Sequence, residues 1–241
     1  MKKLAVSVAV LLLGTATVAS GQALPACGDE LPTILGTMGD DTIAGTEGRD
    51  IISAGAGDDV VYGFGGDDLV CGDDGDDTLF LGTGNDRGVG GDGNDEVRGG
   101  ADLDVLEGGP GNDAVGGGAG GDLVAGGSGD DSVRGGGAAD ATHGGAGSDL
   151  VAGGRAMDDL YGGASDDIMF GGRGPDILIG NRDDDEMHGG EGRDIVVGGL
   201  GSDVIFGGGG NDFLIGSQGR NEVRGGAGRD ACFDGRPNYC E

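Results

Sequence analysis

From Gly36 to Phe233 the chain keeps a nine-residue rhythm: a large aliphatic residue, one variable residue on each side of it, then a glycine-rich polar stretch. Cutting on that rhythm gives 22 units without insertion or deletion, of the form G-G-x-G-x-D-x-U-x with U aliphatic. Gly90 to Arg98 (GGDGNDEVR) and Gly207 to Ile215 (GGGGNDFLI) are typical. Positions seven to nine predict a short strand with its middle residue turned to one side and its outer two turned to the other. Positions one to six predict a turn, because glycine at one, two and four permits positive φ and close approach of backbones. Three residues cannot hold a strand alone. Stacked copies can, since each strand pairs with its counterpart and the position-eight residues merge into a narrow core. Two units make an 18-residue coil with a strand on each side. The 22 units therefore predict an all-β, two-sheet solenoid of about eleven coils, on the order of 50 Å long at roughly 4.8 Å per coil.

Composition separates this reading from disorder. Glycine is 63 of 241 residues, tryptophan is absent and the formal charge is −30, which in an aperiodic chain would point to an unfolded polyanion. Here 36% of residues are apolar and recur in register, so a repeat fold with neutralised charge is favoured. Residues 1–23 read as a secretory signal peptide: Lys2 and Lys3, the apolar run Leu4 to Leu13, then small residues. Residues 24–35 follow as an N-terminal cap, 36–233 are the repeats, and 234–241 are a C-terminal cap or tail. After cleavage, 12 arginines face 44 acidic residues. Such a chain is not expected to bind nucleic acid or anionic lipid unaided. A secretory route permits disulfides among Cys27, Cys71, Cys232 and Cys240. Closeness in sequence favours Cys232 with Cys240, leaving Cys27 with Cys71.

Position six carries the chemistry. It is aspartate in 21 units and asparagine at Asn221, whereas position five varies freely. Stacking units n and n+2 sets these residues in two rows. One edge holds Asp41, Asp59, Asp77, Asp95, Asp113, Asp131, Asp149, Asp167, Asp185 and Asp203. The other holds Asp50, Asp68, Asp86, Asp104, Asp122, Asp140, Asp158, Asp176, Asp194, Asp212 and Asp230. Carboxylates about 5 Å apart repel strongly unless a cation lies between them. A hard divalent ion with six or more oxygen ligands suits two carboxylates from adjacent turns, and calcium suits them best. Magnesium keeps its waters in a tight octahedron, and zinc and copper prefer nitrogen and sulfur.

The nonapeptide resembles the RTX, or haemolysin-type, calcium-binding repeat family over residues 36–233. The resemblance implies a right-handed parallel β-roll, with Ca²⁺ between turns of successive coils and glycine-position carbonyls completing its shell. Eleven turns per edge leave ten gaps each, so about 20 ions is the ceiling. Folding is expected to need calcium, because a glycine-rich anionic chain cannot offset its own ordering entropy. Departures from the pattern mark expected weak points. Ala138 and Ala156 at position four stack on each other, Asp183 adds acid beside Asp184 and Asp185, and Gly88 leaves the core of its unit short of a side chain.

Outward positions seven and nine add one feature. Ile177 with Ile179, Ile195 with Val197, and Phe213 with Ile215 fall on three adjacent strands, flanked by Tyr161 and Phe233. A contiguous apolar patch of this kind marks a dimer or protein contact face. His143 and His188 are outward position-nine residues and read as surface histidines. No HExxH or GxSxG motif is present, and the repeats leave little chain for a catalytic domain, so the expectation is a binding module and not an enzyme. An ice-binding reading would need an aligned threonine row. Leu81 to Asp86 (LGTGND) supplies one such unit and no row follows.

Overall fold

The computed structural model describes residues 30–233. Its strands form two parallel sheets with no helix among the described residues. The even-numbered units, together with Ile34–Leu35 from the segment before the first repeat, build a twelve-stranded sheet ending at Ala231–Phe233, and the odd-numbered units an eleven-stranded sheet from Thr42–Ala44 to Glu222–Gly228. Every strand pairs with the one 18 residues away, as in Val124↔Thr142 and Val115↔Val133. This is the two-sheet solenoid that the nonapeptide period dictates.

The strands are longer than expected. A typical one, Glu96–Ala101, spans positions seven to nine and also one to three of the next unit. Glycine does not break these strands, because the parallel ladder pairs its backbone as readily as that of any other residue. The true turn shrinks to positions four to six. Positions two and four carry the positive φ: Gly91 and Gly93 stand at +125° and +146°. Position one does not, and its glycine answers to a different constraint described below.

Position eight forms the core. Val61, Leu79, Val97, Leu160, Met169 and Leu178 are fully buried between the sheets. The gap expected at Gly88 is absent. A side chain there would meet Leu81 Cδ1 at 2.8 Å, Val97 Cγ1 at 3.1 Å and Leu106 Cδ2 at 3.3 Å. Leu81 occupies position one of the same unit, in place of glycine, and turns inward to fill the space. The core is interrupted elsewhere. One cluster runs from Ile43 to Val133 and a second from Val151 to Val223. Between them sits Thr142, buried, with its hydroxyl lacking a partner.

Outward position nine of the odd sheet is more organised than its mixed sequence suggests. Tyr62 stacks on Phe80 at 5.3 Å and Arg98 lies over Phe80. Further along, His188 is sandwiched between Phe170 and Phe206 at 4.9 and 4.6 Å, with Arg224 over Phe206. On the even sheet Ile177, Ile195 and Phe213 are register partners, as are Ile179, Val197 and Ile215. The six form one outward surface, with Ile195 and Phe213 exposed. Cys71 and Cys232 are both disulfide-bonded. The signal segment, Cys27, Cys240 and the C-terminal tail lie outside the described residues.

Candidate metal centre

From Asp59 and Asp68 onward, each position-six aspartate is held in the same way. Its Oδ1 accepts the backbone N–H of the position-six residue one coil earlier, so Asp77 N–H donates to Asp95 and Asp86 N–H to Asp104, at 2.8 and 2.9 Å. The ladder continues from Asp59 on one edge and Asp68 on the other to Asn221 and Asp230. The carboxylates are buried: Asp104, Asp158, Asp194 and Asp203 are 0% exposed.

The second oxygen is different. In eighteen of these aspartates, from Asp59 to Asp212, Oδ2 is buried and has no hydrogen-bond partner. An unmet buried carboxylate oxygen costs several kcal/mol if the group is charged. Burial is the largest influence on each group. It is opposed by the N–H bond to Oδ1 and reinforced by neighbouring carboxylates. Together these push Asp185 up to about 8, and Asp77, Asp104, Asp167 and Asp176 up to about 7. Asp68, Asp95, Asp131, Asp140, Asp158 and Asp194 rise to about 6. Stacked carboxylates with unmet oxygens fit a cation better than they fit protons at neutral pH.

The glycines shape this cradle. A Cβ at Gly72, the position-one glycine of Asp77's unit, would stand 2.1 Å from Asp77 Oδ2 and 2.4 Å from the carbonyl of Gly90. Gly90 repeats the arrangement with Asp95 and Gly108. Position one is therefore glycine because the carboxylate and the next coil's carbonyl converge there, not because of its φ. At position two or four a Cβ would strike the carbonyl one coil earlier, as at Gly75 against Gly57 O, 2.1 Å away. Carbonyl oxygens thus lie along the gaps between coils beside the unmet carboxylates. No three side chains that ligate metal converge among the described residues, so a bound ion would take carboxylates from neighbouring turns and main-chain oxygens for the rest.

The first turn on each edge is an exception. Asp41 Oδ2 accepts both the N–H and the Oγ1–H of Thr37, at 2.7 Å each. Asp50 Oδ2 accepts the same pair from Thr46 at 2.6 and 2.9 Å. Threonine replaces glycine at position two there and lacks the φ of +68° to +135° found at position two in later units. Its peptide N–H turns into the carboxylate. Asp41 and Asp50 are therefore capped by protein donors. At the far end Asn221 keeps the Oδ1 bond to Asp203 N–H, at 2.9 Å, but presents an unmet Nδ2 in place of an oxygen. Ala156 takes a φ of +79° and Ala138 stays outside that region. Asp140 and Asp158, in the same two units, nonetheless keep the standard bond at 2.9 Å and both unmet oxygens.

Position five does not vary freely; it divides by edge. On the odd edge Asp58 N–H donates to Asp40 Oδ1, Asp76 to Asp58, Asn94 to Asp76, and Asn112 to Asn94. On the even edge such bonds run only from Asn85 N–H to Asp67, Leu103 N–H to Asn85 and Arg229 N–H to Asn211 among the described residues, because Leu103, Gly121, Ala139, Met157 and Pro175 offer no side-chain acceptor between them. The signal is present in the sequence once odd and even units are separated, since Asp, Asn and Ser fill position five of the odd units from Asp40 to Ser202.

The model of the RTX calcium-binding nonapeptide repeat matches the chain in overlapping blocks from residue 35 to residue 232. The chain belongs to this RTX family. Its RTX repeats are calcium-binding repeats, here stacked as a β-roll. No curated protein sequence matches the chain. Among solved structures, a hyperactive, Ca²⁺-dependent, β-helical antifreeze protein from an Antarctic bacterium is similar at 20% identity. The match covers 82% of this chain and 83% of that one, with a TM-score of 0.44. No helix of the described RTX roll is long and apolar enough to cross a membrane.

Proposed function

We propose that this protein is a secreted, non-catalytic calcium-binding module whose β-roll forms when extracellular Ca²⁺ enters the gaps between coils. One observation carries the reading: the eighteen buried Oδ2 atoms without a donor. Each belongs to a carboxylate whose other oxygen is already committed to the backbone, so a cation can reach the free one without dismantling the ladder. Without the cation, like charges one coil apart oppose stacking. With it, ion binding supplies the folding free energy that a glycine-rich chain lacks. Secretion rests on the segment from Lys2 to Ala23. The test is a calorimetric Ca²⁺ titration followed in parallel by circular dichroism. Several ions bound per chain with growth of β signal is the expected result. A β signal indifferent to both Ca²⁺ and EDTA would sink the proposal.

A second use is favoured by the even sheet, where Ile177, Ile179, Ile195, Val197, Phe213 and Ile215 form an outward apolar surface that continues into Phe233, 5.2 Å from Phe213. In this reading the roll is a calcium-dependent contact module that joins a second copy or a protein partner there. Light scattering of wild type and Ile195→Asp in Ca²⁺ tests it. A dimer reduced to monomer supports a homodimer face, and two monomeric masses remove it.

A further inference from the structure

The outward face of the odd sheet carries an open groove of about 1010 Å³ spanning the strands from Glu96–Ala101 to Glu186–Gly192. Six strands at about 4.8 Å spacing give it a length of roughly 24 Å along the rod. Its floor is bare backbone, the position-two glycines Gly100, Gly118, Gly136, Gly154, Gly172 and Gly190. Its rims hold four arginines in a chain with a formal charge of −30. Arg98 and Arg134 stand at position nine, two strands apart in register through Gly116. Arg155 and Arg173 stand at position three as direct register partners. Like charges facing each other across neighbouring strands are destabilising unless an anion lies near both. Arg173 reaches Glu191 at 3.3 Å, and Arg98 pairs with Glu96. Arg134 and Arg155 have no carboxylate partner among the described residues.

We infer that this groove binds a linear acidic polysaccharide, carrying a carboxylate or sulfate on its sugar rings. Four features select this occupant. Arginine grips such groups through two parallel hydrogen bonds. The side-chain-free floor accepts a flat ring and offers no pockets for peptide side chains. The floor's backbone is already paired within the sheet, so a peptide cannot add as a strand. Spacing is the fourth. One sugar ring of a linear glycan advances the chain by close to the strand spacing, so acidic groups on alternate rings match Arg98 and Arg134. An extended acidic peptide presents same-side carboxylates only every two residues, roughly 6.7 Å apart, out of step with the strands. Beyond the arginines, the stacked rings of Phe170, His188 and Phe206 continue the position-nine row and turn their edges, not their faces, outward.

This inference rests on calcium filling the gaps, because only then is the acidity of the two edges offset enough for a polyanion to approach. The test uses a fluorescent galacturonate hexasaccharide, with a polyglutamate peptide and a single-stranded oligonucleotide as alternatives, all at fixed Ca²⁺ and varied salt. Three proteins are compared: wild type, Arg134→Glu with Arg155→Glu, and Gly116→Glu. A side chain at Gly116 would meet nothing within 4 Å, so that variant adds a carboxylate to the groove without disturbing the roll. Fluorescence anisotropy is expected to show salt-sensitive binding of the hexasaccharide to wild type, weakened about tenfold or more in both variants, as loss of one charge-assisted contact implies. Circular dichroism in Ca²⁺ is recorded for all three. Unaltered calcium-induced folding with lost glycan binding supports the groove. No binding by a folded wild type, equal binding by the variants, or equal or tighter binding of polyglutamate or oligonucleotide overturns it. Failure of the calcium response itself would instead count against the reading on which it rests.

Discussion

Replacing Asp185 by asparagine should change stability in opposite directions with and without calcium. Asp185 Oδ1 accepts the N–H of Asp167 at 3.0 Å, and Oδ2 is buried without a donor. Burial, then the carboxylates of Asp167 and Asp203 against that hydrogen bond, push it up to about 8. Asparagine keeps the Oδ1 acceptor and removes the charge. It leaves a neutral Nδ2 without an acceptor, as Asn221 already does. A buried charged group with an unmet atom costs more than a neutral one, by about 1 kcal/mol or more. In EDTA above pH 8, Asp185→Asn is therefore expected to gain about 1 kcal/mol, in whatever fraction of the chain remains rolled. In calcium the same change removes a charged ligand facing two gaps. Altered groups merely supporting a ligand cost 10–100-fold in metal affinity, so the calcium midpoint should rise at least about tenfold. The residual β signal by circular dichroism in EDTA, and urea unfolding in Ca²⁺, read the two signs. A shift of the same sign in both conditions would refute the assignment of Asp185 Oδ2 to a cation.

The remaining predictions test other parts of the same account. The raised aspartates mean that the metal-free roll holds more protons than the unfolded chain, whose aspartates titrate near 3.9. Its acid-favoured stability should be complete below about pH 4 and lost as pH rises through about 6 to 8. A β signal in EDTA that grows as pH rises across that window would contradict it. Gly90→Ala places a Cβ 2.3 Å from Asp95 Oδ2 and 2.6 Å from Gly108 O, and overpacking of that kind costs about 1–3 kcal/mol. Gly116→Ala meets no atom within 4 Å and should be neutral or slightly stabilising; equal losses in chemical denaturation would remove the steric argument. Thr142→Val should stabilise the calcium-loaded roll by about 1 kcal/mol, since it replaces an unmet buried hydroxyl and joins the two core clusters. A lower melting temperature would show that the hydroxyl has a partner.

The period of nine determined the architecture. Once every strand must pair with the residue 18 positions away, two parallel sheets, an aliphatic line between them and two aspartate rows follow, because backbone pairing is indifferent to which residues it joins. Val97, Leu160 and Asp95 stand where their positions in the repeat require. The stacked structure alone decided what each carboxylate meets. Whether Oδ2 is left bare or capped depends on the peptide at position two, whose orientation follows from its φ in the stack, and so Asp41 and Asp50 differ from Asp59 and Asp68. Compensation is likewise invisible in one dimension, since Leu81 fills the space above Gly88 only after the coil closes. The arginine groove has the same origin. Arg134 and Arg155 lie 21 residues apart at different positions of the repeat, and only the fold sets them on one face.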